Sequence, residues 1–83
     1  MNLTQEQAFA LLAARLEHAR EKHPVFAETT LSAVGVIQRE LFELRMAHLE
    51  NEGPARVIDE ALDVAATAMR LVMGEVRGGE NGI

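Results

Sequence analysis

Four carboxylates form two pairs with the same spacing, Glu40 with Glu43 and Glu60 with Asp63. Side chains three residues apart on a helix share a face, with Cβ atoms roughly 5–6 Å apart. Two such helices packed side by side bring the four acids to one point, where their repulsion is costly unless a cation lies between them. Carboxylate oxygens are the ligands that magnesium prefers. The spacing therefore predicts a magnesium site held by Glu40, Glu43, Glu60 and Asp63.

The alternative interpretation of these acids is a solvated helix face. None of the four has a Lys or Arg three or four residues C-terminal to it, the arrangement that favours surface ion pairs. However, Arg39 and Arg56 lie four residues before Glu43 and Glu60 and can pair with them in the weaker orientation. From the pattern alone, a metal site and a solvated face both stay open.

Three helices are predicted to position the acids. Thr4 and Gln7 have the spacing of a capping box, and apolar residues then recur at helical intervals until Pro24. Thr29 or Thr30 caps the second helix, and a proline in the first helical position begins the third. The predicted helices are, in chain order, Gln5 to Lys22, Leu31 to Glu50 and Pro54 to about Val76.

The third helix carries its polar residues on a single stripe. Between Glu60 and Met73 these are Glu60, Asp63, Thr67 and Arg70, spaced three, four and three residues apart. The other residues of this segment are apolar, which predicts a helix that neighbours cover on most sides. A chain of 83 residues with a hydrophobic fraction of 48% cannot supply all of that cover itself. The predicted fold class is therefore all-α, a three-helix protomer that completes a four-helix or larger bundle by dimerisation.

The predicted organisation is a single helical domain, residues 1–77, with a disordered glycine-rich tail at 78–83. The net charge of −5 argues against binding to a nucleic acid polymer. No apolar run approaches the roughly 20 residues of a membrane span, and the N-terminus lacks the basic start of a signal peptide. The chain has no cysteine, which fits a reducing compartment. We therefore expect a cytoplasmic protein with no membrane partner.

The order Glu-x-x-Glu on one helix and Glu-x-x-Asp on the next resembles the MazG-like all-α nucleoside triphosphate pyrophosphohydrolases. Sixteen residues separate Glu43 from Glu60, a length compatible with that family. The segments Ile-Gln-Arg-Glu-Leu-Phe-Glu-Leu at 37–44 and Ile-Asp-Glu-Ala-Leu-Asp-Val-Ala at 58–65 look like its two acidic helices. The likeness covers about residues 22–72.

The resemblance implies hydrolysis of a nucleoside triphosphate between its α and β phosphates, to the monophosphate and pyrophosphate, by a magnesium-dependent dimer or tetramer. One of the carboxylates would serve as the base. Basic side chains near the acids are candidates to contact the phosphates, although such residues are more often helix-end or surface charges. The resemblance assigns Glu40, Glu43, Glu60 and Asp63 as metal ligands. Glu40 and Glu43 are also the candidate catalytic carboxylates, and Lys22, His23 and Arg70 are the candidate phosphate contacts.

A noncatalytic role is the second hypothesis. The apolar excess, the small size and the lack of a clear basic cluster after the second acidic motif are typical of a helical homo-oligomeric interaction module. An inactive MazG-like relative would share these features. Stability that depends on a divalent cation would favour the enzyme over the module.

Overall fold

The first helix, α1 (Gln5–Lys22), begins and ends at the predicted residues. The computed structural model describes residues 2–76. In it the Thr4 hydroxyl accepts a hydrogen bond from the Gln7 N–H at 3.1 Å, and the Gln7 side chain accepts one from the Thr4 N–H at 2.9 Å. This reciprocal pair is the predicted capping box, and it satisfies backbone donors that the helix start leaves without partners.

The second helix, α2 (Thr30–Leu49), begins and ends one residue before the predicted limits. Its N-cap is Thr29, whose hydroxyl accepts a hydrogen bond from the Ser32 N–H at 3.1 Å, and the Ser32 hydroxyl oxygen accepts one from the Thr29 N–H at 3.0 Å. Serine thus takes the place that glutamate or glutamine holds in most capping boxes. The predicted choice between Thr29 and Thr30 is settled in favour of Thr29.

A tight turn separates α2 from the third helix. Asn51 adopts a left-handed conformation with φ of 53°, and its N–H donates to the His48 carbonyl at 3.1 Å. The N–H of Glu52 donates to the Ala47 carbonyl at 3.0 Å. These two bonds make a Schellman ending, in which asparagine tolerates the left-handed position. Pro54 then begins the next helix, as predicted.

The third helix, α3 (Pro54–Val72), is shorter than predicted. The prediction that it continues to about Val76 is wrong, because Gly74 takes a left-handed conformation with φ of 72°. The N–H of Glu75 donates to the Arg70 carbonyl at 2.9 Å and completes a second Schellman ending. Glycine reaches this conformation without the Cβ penalty that other residues bear.

Helix α3 lies in the middle of the molecule and packs against both other helices, more extensively against α2. Within the described residues, α1 and α2 do not pack against each other, so they form two walls above α3. An isolated parallel bridge between Ala27 and Val76 joins the α1–α2 link to the segment after α3. Residues 2–76 contain three helices and no strand beyond this bridge, which confirms an all-α fold with three helices.

The interior is built from small side chains. The buried apolar residues are Ala27, Ala33, Ala47, Ala66 and Val76, and among residues 2–76 no large side chain is fully buried. Many larger apolar side chains are exposed instead; they include Leu31 at 82% and Phe42 at 58%. The dimer predicted from the apolar excess stays a prediction.

Two predictions fall on the ends of the chain. The glycine-rich tail at 78–83 and the domain end at residue 77 lie outside the described residues. Of the helices in 2–76, none is both long and apolar enough to cross a membrane.

Candidate metal centre

Helices α2 and α3 bring together three of the four predicted metal ligands. Glu40, Glu60 and Asp63 each offer a carboxylate oxygen, and these oxygens all lie within 4.8 Å of one another. We call these three side chains the acidic cluster. Glu43 is exposed on α2 and does not belong to this group. The spacing thus predicted the α3 pair as a unit, whereas the α2 pair contributes Glu40 to the cluster.

Glu60 is the most enclosed member of the cluster, with 3% of its surface exposed. Its Oε2 forms an ion pair with Arg56 Nη2, 2.6 Å away. Its Oε1 is buried and finds no hydrogen-bond partner in the described part of the chain. A buried oxygen left without a partner costs about 1–3 kcal/mol, and more for a charged group. Such a cost calls for a partner, and a cation held by the cluster would be one.

The pKa values of Glu60 and Glu40 are both raised, because burial and neighbouring carboxylates oppose the negative charge of each side chain. Burial raises the pKa of Glu60; Arg56 opposes this effect, and the negative charges of Asp63, Glu43 and Asp59 add to it. The three acids repel one another while two of them are largely withdrawn from water. A divalent cation would remove both penalties.

The pKa of Glu40 is raised for similar reasons. Burial is the main cause, followed by the charge of Glu43 and then that of Asp63, against a weaker opposing effect of Arg39. Glu43 therefore acts on the cluster electrostatically although its side chain is exposed. Its carboxylate is close enough to matter to the site even as a group outside the set of three.

Arg15 of α1 reaches the same site from the opposite wall. Its Nη1 donates to Asp63 Oδ1 at 2.6 Å and its Nη2 donates to Asp59 Oδ1 at 2.6 Å. Sequence reasoning missed both Arg15 and Asp59. The partners lie 44 and 48 residues apart in the chain, so no local spacing indicates the contact. Only the polar position of Arg15 within the apolar repeat of α1 was a possible signal.

A pocket of about 490 Å³ adjoins the cluster, between α1, the α1–α2 link and α2, with α3 as its floor. Ligand sites in proteins commonly have volumes of roughly 300–1,000 Å³. All three predicted phosphate contacts lie along this pocket, together with Glu40 and Asp63. The residues that line it are Arg15, His18, Ala19, Lys22, His23, Val25, Phe26, Val36, Arg39, Glu40, Asp59, Asp63, Ala66, Thr67 and Arg70.

The predicted phosphate contacts have different surroundings. Lys22 and His23 are exposed at the end of α1. Arg70 is only 3% exposed, and its guanidinium donates to the His23 carbonyl at 3.0 Å and to Glu75 Oε1 at 2.7 Å. It also lies over the Phe26 ring at 5.1 Å from the ring centre. These contacts tie α3 to the α1–α2 link, so Lys22 and His23 are better placed to meet a ligand.

Comparison with protein-family models, curated proteins and solved structures gives no match for this chain. The likeness to MazG-like enzymes thus depends on the two acidic motifs and stays a hypothesis.

Proposed function

We propose that this chain is a magnesium-dependent nucleoside triphosphate pyrophosphohydrolase that resembles the MazG-like enzymes and yields a nucleoside monophosphate and pyrophosphate. The observation that carries the proposal is the acidic cluster beside the 490 Å³ pocket, in which Glu60 holds one buried oxygen without a partner among residues 2–76. An ordinary solvated acidic face would leave each carboxylate in water.

Magnesium suits the chemistry of this donor set. It is a hard cation that takes oxygen ligands in near-octahedral geometry, and proteins commonly hold it with one or two carboxylates while water and substrate phosphates complete its shell. Glu40, Glu60 and Asp63 supply carboxylate oxygens only, and no histidine belongs to the cluster. Zinc, which favours nitrogen and sulfur ligands, suits the same set less well.

The pocket beside the acidic cluster supports the proposal that a nucleotide binds next to the cation. Lys22 and His23 lie along the α1 wall and would meet the negative charge of the phosphates. Phe26 and Val36 supply apolar lining that can face a base or sugar. Charged groups next to apolar lining are the arrangement that a nucleoside triphosphate requires.

A magnesium ion bound here would neutralise phosphate charge and favour attack by water at the α phosphate. Glu40 and the other cluster carboxylates would hold it against the substrate. Glu43 lies outside the group of three and is exposed, so we assign it the role of accepting the proton of the attacking water. Lys22 would stabilise the charge on the departing pyrophosphate.

The test is release of pyrophosphate from a panel of canonical and modified nucleoside triphosphates in the presence of magnesium. Glu60→Gln keeps the shape of the side chain but removes its charge, and we expect it to lower kcat/KM about 100-fold or more, because metal-assisted charge stabilisation supplies several kcal/mol. Glu21→Gln, at an exposed position on α1, should leave the rate unchanged. Failure to turn over any substrate would contradict the proposal.

The second candidate is a noncatalytic homo-oligomeric module, favoured by the exposure of large apolar side chains such as Leu31 and Leu49. It requires no cation. Under this hypothesis magnesium does not raise the melting temperature. Neither the unaltered protein nor a variant with the cluster acids replaced shows detectable cation binding. Both candidate functions include the prediction that a second copy of the chain completes a helical bundle.

A further inference from the structure

Two arginines contact the acidic cluster from outside, Arg15 through hydrogen bonds and Arg56 through an ion pair. Arg15 Nη1 lies 2.6 Å from Asp63 Oδ1, and Arg56 Nη2 lies 2.6 Å from Glu60 Oε2. Each guanidinium thus occupies one oxygen of a cluster carboxylate. In Glu60 the other oxygen, Oε1, is buried and has no hydrogen-bond partner in the described chain. A carboxylate held in this way can give its second oxygen to a cation without releasing the arginine.

The contact of Arg15 has the form of a fork that spans one turn of α3. Its Nη2 donates to Asp59 Oδ1 at 2.6 Å, and its Nη1 donates to the Asp59 carbonyl at 3.0 Å as well as to Asp63. A planar guanidinium that contacts three oxygens has a fixed direction, and it fixes the Asp63 carboxylate that it binds.

We propose that Arg15 and Arg56 are positioning residues of the metal centre, which orient Asp63 and Glu60 so that each presents an oxygen to one divalent cation. This inference rests on the proposed metal site. Outer partners of metal ligands commonly matter in this way, and their loss typically lowers metal affinity by ~10–100-fold. In this proposal a positively charged side chain, Arg15, strengthens the binding of a cation.

The simplest competing explanation treats the arginines as counter-charges alone. Removal of a positive charge beside a cation site makes cation binding tighter, because it removes Coulomb repulsion between the guanidinium and the cation. Removal of an orienting hydrogen bond makes it weaker. The two explanations therefore predict opposite changes in affinity for the same substitution.

Cation selectivity separates positioning from general damage to the fold. Magnesium demands near-ideal octahedral geometry, whereas calcium accepts a larger and more irregular set of oxygens. Carboxylates that are no longer held in one orientation should lose affinity for magnesium more than for calcium. A variant that is merely less stable would lose affinity for both ions in equal measure.

The experiment is isothermal titration calorimetry of the full chain with magnesium and with calcium alone. We expect Arg15→Gln and Arg56→Gln each to weaken magnesium binding about 10-fold or more, and calcium binding by less. Arg15→Lys keeps the charge but cannot form the fork, so it should weaken magnesium binding as well. The control is Arg39→Gln, since Arg39 Nε lies 3.8 Å from Glu40 Oε2 and its side chain is 67% exposed; magnesium affinity should stay the same or rise.

The outcomes are distinguishable. If the unaltered protein binds magnesium, and Arg15→Gln and Arg56→Gln bind it equally well or more tightly, the positioning role is overturned. The proposed metal site is then retained. Equal losses for magnesium and calcium overturn it too. Absence of any cation binding by the unaltered protein overturns the proposed metal centre itself and the positioning role with it. Circular dichroism checks the helix content of each variant. If Arg15→Gln does not fold, Arg56→Gln is the deciding variant, because the Arg56 side chain is 53% exposed and its replacement should disturb the fold little.

Discussion

Glu60 combines three unfavourable circumstances in one side chain. It is almost withdrawn from water, it lies beside other carboxylates, and its Oε1 has no hydrogen-bond partner among the described residues. Arg56 offsets part of this cost through Oε2. A cation held by the acidic cluster, as proposed, would offset the remaining cost.

Glu60→Gln tests this at the scale of one residue. Burial raises the pKa of Glu60 above its ordinary value of 4.5, so the native state binds the proton more tightly than the unfolded state does. The penalty is therefore absent below pH 4.5 and grows as pH rises through the native pKa. Without divalent cations at pH 7, the variant should be more stable than the unaltered protein by about 1 kcal/mol, measured by urea denaturation.

The effect of Glu60→Gln on the free energy of unfolding should change from stabilising to destabilising when magnesium is added. A cation that binds only the native state stabilises it by RT ln(1 + [L]/Kd), and Glu60→Gln should lose most of that gain. Glu21→Gln, which is exposed on α1, serves as the control and should follow the unaltered protein in both conditions. A Glu60→Gln variant that is less stable in chelator would show that the carboxylate is a structural partner of Arg56 and nothing more.

At the scale of the helices, α1 is attached differently from the others. No residue of Gln5–Lys22 is buried. Besides its packing, two sets of polar contacts attach it to α3: the Arg15 fork, and a set of ion pairs near the C-terminus of α1. There Glu75 accepts hydrogen bonds from Arg20 Nη2 at 2.6 Å and from Arg70 Nε at 2.7 Å. The segment after α3 thus fastens the wall that carries Lys22 to the rest of the pocket.

Glu75→Gln should loosen this attachment in a pH-dependent way. Hydrogen bonding from Arg20 lowers the pKa of Glu75 below 4.5, assisted by Arg70 and opposed by burial. A lowered native pKa stabilises the fold fully above pH 4.5 and ceases to do so as pH falls through the native value. We expect a loss of about 1 kcal/mol at pH 7, reduced from the value for a buried pair because Arg20 is partly exposed.

The measurement for Glu75→Gln is urea denaturation from pH 7 down to pH 3. The curves of the variant and the unaltered protein should converge towards the acid end, because protonated Glu75 and glutamine make similar contacts. Glu17→Gln is the matched control, since that carboxylate lies 3.8 Å from Arg20 Nη1 and is 74% exposed. Two curves that stay parallel over the whole range would show that Glu75 does not contribute through its charge.

The helices and their caps were predictable from sequence because capping and periodicity are local. Thr4 with Gln7 and Pro54 at the start of α3 follow from chemistry within one turn. Gly74 offered a local signal for the end of α3 that the glycine-rich tail obscured. The contact of Arg15 with Asp63 had no such signal, because it depends on how separate helices pack.

The composition of the acidic cluster also depends on helix packing, which the sequence pattern does not predict. Spacing places Glu40 and Glu43 on one face of α2, and Glu60 and Asp63 on one face of α3. How far α2 is rotated about its axis decides which of its two acids faces α3, and tertiary packing sets that rotation. Glu40 faces the cluster, whereas Glu43 is exposed. Three of four predicted ligands therefore meet.

At the scale of the whole molecule, the apolar core of residues 2–76 is built from small side chains. Among residues 2–76 the buried apolar side chains are four alanines and one valine. A full Leu or Phe side chain contributes about 1.5–3 kcal/mol when buried, and the described chain buries none completely. Large apolar side chains are instead exposed along α2, among them Leu31, Leu41, Phe42 and Leu49. A second copy packed against this helix would bury them and complete the predicted bundle.

Self-association is tested by size-exclusion chromatography with multi-angle light scattering. The unaltered protein should have at least twice the mass of 9.1 kDa, and its melting temperature should rise with protein concentration. Phe42→Glu places a charge within the exposed apolar side chains of α2, so it should shift the mass to that of the monomer and remove the concentration dependence. Ala14→Glu adds the same charge at an exposed position on α1 and should preserve the assembly. A protein that is monomeric at all concentrations, with a melting temperature insensitive to them, would show that this small-residue interior suffices without a partner.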